Sequence, residues 1–275
     1  MGNYSKNLSK RIENVRITEG YCLICGKYGF LTMDHVPPKG SITITKVEQK
    51  HIFDVLRAEG TKIKGVSSTN GSKFKTICAY CNNTILGAND VEISSVIKEL
   101  NRKINIYFTN LNSIYNSVSV PFNPIKFCRA MIGHILSATT VKDCKITPQY
   151  TPYFTPLQEF VLGDDNALNN THDIYYWFYP HKMHISSKMV SFYNNGNNCI
   201  VSILSFFPIA FLVTEKGKGI FPAQAIKLTF KDSHIVLNLS SGNLDYSTFP
   251  FNHLEGNQVI LTSENHCIVS YPIKG

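Results

Sequence analysis

The chain has one tryptophan and no apolar run long enough to cross a bilayer as a helix. Its longest such run, CIVSILSFFPIAFLVT at 199–214, is 16 residues and is broken by Ser202, Ser205 and Pro208. A spanning helix needs about 20 apolar residues. The leading stretch MGNYSKNLSKRIENVRI lacks the apolar centre of a secretory leader, and Lys6 stands where a myristoylation signal carries Ser or Thr. Internal repeats and low-complexity tracts are missing too. These absences predict a cytoplasmic protein with no membrane partner. Acid is also scarce: 19 Asp and Glu face 27 Lys and Arg, a net charge of +8. Residues 1–90 hold 13 of the cations and 7 of the acids, so most of the excess lies in the first third. A basic surface attracts polyanions, nucleic acid first among them. An ordinary solubilising surface would carry the same charge, so charge alone leaves both readings open.

What is present is enough to fold. Apolar residues make up 43% and aromatics 12% of 275 residues, which suits two domains better than one. Residues 46–73 are polar and predict a short helix plus a mobile loop. At 88–104, Asp90 can cap a helix whose apolar face is Val91, Ile93, Val96, Ile97 and Leu100. At 123–140, Asn123 caps, Pro124 opens, and Phe127, Met131, Ile135 and Leu136 share a face. From about Tyr150 onward, aromatic and β-branched runs alternate with turn clusters such as NNGNN and EKGKG, which predicts a mostly antiparallel sheet, sandwich or open barrel. The expected fold class is α+β, with an N-terminal domain over 1–115, a helical connection, and a helix plus mostly antiparallel β domain over 116–275.

The eight cysteines are used unevenly. Cys128, Cys144, Cys199 and Cys267 are scattered and read as reduced, buried small hydrophobes. Cys22/Cys25 and Cys78/Cys81 form two Cys-x2-Cys pairs separated by 52 residues. Two such pairs supply four thiolates to a tetrahedral structural zinc, and the metal would explain how a loop-rich segment folds. Gly26, directly after Cys25, permits a tight turn that faces backbone amides to the sulfurs.

Between the pairs lies TMDHVPPKG, with Asp34 and His35 just before Pro37 and Pro38. The prolines cannot extend a ladder, so a strand is expected to end there and expose the histidine. After the second pair come Asn82 and Asn83. The ordered pieces CLIC, DHVPPKG, STNG and CAYCNN resemble the HNH endonuclease family, whose ββα-metal site often sits on a zinc-stabilised, treble-clef-like scaffold. The resemblance covers about residues 20–90. It implies a metal-dependent endonuclease that hydrolyses phosphodiester bonds in DNA, with RNA as an alternative substrate. By that match His35 is the general base that activates water, and Asp34 and Asn82 hold a catalytic divalent ion. An amide oxygen at Asn82 favours Mg2+ or Mn2+. Asn70 is the candidate for the middle residue that orients the base; a plain turn asparagine before Gly71 fits as well. Asn83 replaces Asn82 if the helix begins one residue later. Lys39 is the candidate phosphate contact, against a solvated loop lysine. Fusions of such a domain occur in mobile elements, restriction and antiphage defence, with the β-rich half recognising a target, a protein partner or a second copy.

A different class of function also fits: a zinc-dependent nucleic-acid- or protein-binding module in which Asp34-His35 is a surface turn. His134, inside the apolar helix, reads as a packed core residue. His51 reads as solvated, His181 and His184 as non-ligands on opposite strand faces, and YYWFY as a core strand rather than a base-stacking platform.

Overall fold

The Asp-His strand and its continuation set the first layer. In the computed structural model, which describes residues 16–43, 45–56, 65–110, 115–194, 197–251, 260–261 and 267–273, β1 (Glu19–Tyr21) and β2 (Tyr28–His35) form an antiparallel hairpin around the first cysteine pair. β2 stops at His35, as the prolines require. Most of the basic lead-in and residues 57–64 of the expected loop lie outside the described residues. β3 (Val47–His51), α1 (Ile52–Leu56) and β4 (Val66–Ser68) come next, before β5 (Lys73–Cys78) returns to pair with β2. A π-helical segment, Tyr80–Leu86, then runs straight into α2 (Gly87–Thr109).

β6 (Ser117–Pro121) leads to α3 (Pro124–Ser137) and α4 (Phe154–Leu162). α3 starts as its sequence requires: the Asn123 side chain accepts from the Lys126 N–H at 3.0 Å, and Pro124 occupies the first turn. Phe127, Met131, Ile135 and Leu136 are all fully buried. The chain then gives β7 (His172–Phe178), β8 (His184–Asn194), β9 (Asn197–Phe206), β10 (Ile209–Glu215), β11 (Ile226–Leu228), β12 (His234–Asn238), β13 (Ile260–Leu261) and β14 (Cys267–Pro272). Every aromatic or β-branched run of the second half contributes one of these strands.

The protein is mixed α+β, and its main sheet is antiparallel. Strand order is β11-β7-β10-β9-β8-β14-β3-β4, with β13 also on β8; β6 pairs with β12 apart from it. The polar stretch 46–73, expected as a short helix and a loop, does hold the short helix α1, but it also sends β3 and β4 into this sheet. His51 is accordingly buried at the end of β3, not solvated. The edge that β14 would expose is thus covered by a segment inserted between β2 and β5, so the large sheet takes strands from both sides of the boundary expected at 115/116.

Strand alternation serves two cores. Ile174, Tyr176, Phe178, Phe211 and Val213 face the cluster that contains α2, α3 and α4. Tyr175, Trp177, Tyr179, Leu212 and Val269 face a second cluster with Ile52 and Phe251. The YYWFY run is therefore core on both faces. No helix among the described residues is long and apolar enough to cross a membrane.

Candidate metal centre and the residues around it

The hairpin turn after β1 carries Cys22 and Cys25, the end of β5 carries Cys78, and the π-helical turn carries Cys81. Pairing of Leu31 with Cys78 across β2 and β5 brings the four together. Gly26 has φ +70°, a conformation that favours glycine, and its N–H donates to the Cys22 carbonyl at 2.8 Å. The Cys78 N–H donates to Cys22 Sγ at 3.3 Å.

The four sulfurs lie within 4.8 Å of one another. Cys25 and Cys78 sulfurs are 3.8 Å apart. Tetrahedral zinc–sulfur bonds of about 2.3 Å give sulfur–sulfur edges of about 3.8 Å. The Cys22 thiol is pushed down to about 5, first by a hydrogen bond from Cys81 and then by surrounding backbone N–H groups. Burial pushes Cys25 up to about 11. Cys81 is raised by its bond to Cys22 and by burial. Thiols this close cannot all ionise without a cation among them. The four cysteines can hold a structural metal such as zinc. Among the scattered cysteines, Cys128, Cys144 and Cys267 are buried and free, as expected; the side chain of Cys199 lies outside those described.

β2 leads from this cluster to the Asp-His pair. A bulge between Thr32 and Asp34 shifts the register against β5. Beyond it Asp34 is buried at 3% exposure while His35 stays half-buried, so the two side chains leave the strand on different sides. Asn70 occupies the turn before β5, and Gly71 after it has φ +70°, so the reading of it as a turn asparagine stands. Its backbone carbonyl lies near enough to the His35 ring to favour the protonated ring slightly. Burial, then the charges of Lys73 and Lys39, hold the His35 pKa below its ordinary value despite Asp34. The ring is neutral at neutral pH.

Asn82 lies half-buried in the π-helical turn. Its amide nitrogen donates to the Met33 carbonyl at 2.9 Å and to Thr32 Oγ1 at 3.1 Å. Two acceptors fix which end of the amide is nitrogen, and the oxygen is left as the end offered to a ligand. Asn83 is exposed. Lys39 is exposed in the loop after Pro38.

Asp34 has partners that its sequence context did not suggest. Its Oδ2 accepts from the Ser137 hydroxyl and lies 3.0 Å from His134 Nδ1. His134 Nε2 lies 2.9 Å from Asp90 Oδ1. Burial alone would push the His134 pKa down, but the charges of Asp34 and Asp90 outweigh it and raise it to about 10. A buried cation between two carboxylates thus ties α3 to β2 and α2. His134 is a core residue, as read from its apolar helix. The missed signal was that a buried ring with two polar atoms needs partners. Asp90, expected as a cap, sits inside the first turn of α2, because the helical path already starts at Tyr80.

No family model, curated protein or solved structure matches this chain.

Proposed function

We propose that the chain is a metal-dependent endonuclease of the HNH type, built on a zinc-held ββα unit and acting on DNA. The observation that carries the reading is Asn82, one residue past the cysteine cluster, whose side chain is bonded to the peptide just before Asp34. Further support comes from Asn70, whose backbone carbonyl lies near enough to the His35 ring to favour the protonated ring slightly.

In this reading each residue has a definite task. His35 is neutral and takes a proton from the attacking water. Asn70 keeps the ring turned toward that water. Asp34, with Oδ2 taken by His134 and Ser137, would offer Oδ1 to the ion, and Asn82 its amide oxygen. These are hard oxygen donors, which suit Mg2+ or Mn2+. The ion would neutralise the phosphate and the departing 3′ oxygen. Lys39 stands in the loop just beyond His35, where a phosphate contact suits it. Tyr28, Phe30 and Tyr80 are exposed near the cysteine cluster and can stack on bases.

The test is incubation of supercoiled plasmid with the zinc-loaded chain and Mg2+ or Mn2+. Metal-dependent nicks are expected, and a parallel RNA strand reads the sugar preference. Salt-sensitive binding without nicks under either metal would contradict the proposal. It would support a zinc-dependent nucleic-acid-binding module, which the burial of Asp34 against His134 and Ser137 also fits.

A further inference from the structure

A cleft of about 1080 Å3 opens between the loop after Pro38, one face of α2 and the end of the large sheet. Ligand sites typically measure roughly 300–1,000 Å3, so there is room for a sizeable molecule. The helix wall is the stripe Val91, Ser94, Ser95, Lys98 and Asn101. Val91, expected on the buried face, is instead 71% exposed and faces this space. Gly40 permits the close approach of loop and helix: a Cβ there would meet Ser94 Oγ at 2.2 Å.

The lining has a consistent chemistry. Lys98 comes from the helix wall and Lys182 from the sheet side, and no acidic side chain is among the described lining residues. Two polar atoms have no partner among the described residues. Asn101 Oδ1 is a buried acceptor without a donor. His184, only 8% exposed, has an unpartnered Nδ1 and turns its remaining exposed surface to the cleft. Buried polar groups cost stability unless something satisfies them. Phe207, Pro180 and Pro272 supply flat apolar walls.

Two lysines, an orphan amide acceptor, a histidine with an unpartnered nitrogen and apolar side chains line one cleft, and together they match one class of molecule. We propose that this cleft binds a nucleotide, with its phosphate between Lys98 and Lys182, its ring against Phe207, and a base amine donating to Asn101 Oδ1. The site is separate from His35 and does not depend on the nuclease reading. The nucleotide has two sources, a free effector or a residue of a bound strand.

Calorimetric titration of the full chain without added Mg2+ or Mn2+ tests the proposal. The probes are purine and pyrimidine nucleoside phosphates, linked dinucleotides and a short single-stranded DNA. At least one probe should bind, and the exposed pair Lys98→Ala/Lys182→Ala should weaken it about tenfold or more. Asn101→Leu should weaken a probe that carries a base amine more than one that does not. The titration reads binding without the divalent ion that cleavage needs, which keeps this result distinct from any result on cleavage. Lysine-dependent binding of a free nucleotide identifies an effector site; lysine-dependent binding of the strand alone identifies a substrate subsite. If no probe binds, or if binding ignores both lysines, the proposal is overturned.

Discussion

Asp34 and His35 are neighbours in sequence with different energetic situations, and substitution should separate them. Removing the Asp34 carboxylate leaves His134 a buried cation facing Asp90 alone and strips the Ser137 hydroxyl of its acceptor. Breaking such a buried pair costs about 3–5 kcal/mol, so Asp34→Ala should lower the urea midpoint sharply. His35→Ala, at a half-buried position, should change stability by about 1 kcal/mol or less. Equal midpoints for the two variants would contradict the His134 network. Histidine burial also sets an acid limit. Burial holds His172 and His184 down to about 4, against an ordinary value of 6.5. Between those values the unfolded chain takes up protons that the native chain refuses. Their contribution to stability is therefore complete above about pH 6.5 and is lost as pH falls toward 4. His134, raised to about 10, works in the opposite direction: its contribution is present below 6.5 and fades as pH rises through 10. Urea melts across this range should show an acid limb that His184→Asn flattens; an unchanged limb would contradict the burial argument. The sequence made the four-cysteine cluster legible because each pair sits in a short motif. Asp90 and Ser137 were not legible, since their partners lie 44 and 103 residues away.

At the scale of elements, α3 packs tightly against the π-helical turn. A Cβ on Gly133 would meet Leu86 Cδ2 at 2.1 Å. Gly133→Ala should push the turn that carries Cys81 and Asn82 away from the core, at a cost of about 1–3 kcal/mol. An unchanged melting temperature would show that Leu86 simply moves aside. The cysteine cluster should hold one zinc per chain by elemental analysis. Cys81→Ser should lower both the zinc content and the melting temperature, whereas a metal-free chain with an unchanged melt would rule out a structural metal. The strands of the second half were readable from their period and turn clusters. α4 was not, although Thr151 accepts from the Phe154 N–H and Gly163 follows the last turn at φ +128°. That stretch lies in the half read as a mostly antiparallel sheet, and its nine residues are too few for a helical period to stand out. The segment 46–73 misled for a different reason: β3 and β4 are strands because β14 offers an edge, a property of the assembled sheet rather than of their own residues.

For the whole molecule, β14 is the seam. It pairs with β8 on one side and β3 on the other, and Ser72 Oγ donates to Ser270 Oγ across 198 residues. Removal of residues 267–275 should therefore destabilise the turn that carries Asn70, and the β2–β5 pair beside it, along with the large sheet. A truncated chain that retains its zinc and a full cooperative melt would contradict this coupling. The same seam places the nucleotide cleft between the sheet and α2, so its occupant touches the helix that follows the turn carrying Asn82. The central claim is that His35 activates water on a phosphodiester. Single-turnover plasmid cleavage in Mg2+ or Mn2+, by unmodified and His35→Ala chains of equal zinc content and melting temperature, tests it most directly. The account predicts cleavage by the unmodified chain and a loss of about 10²–10⁴-fold in the variant. Equal rates, or no cleavage by either chain, would contradict it.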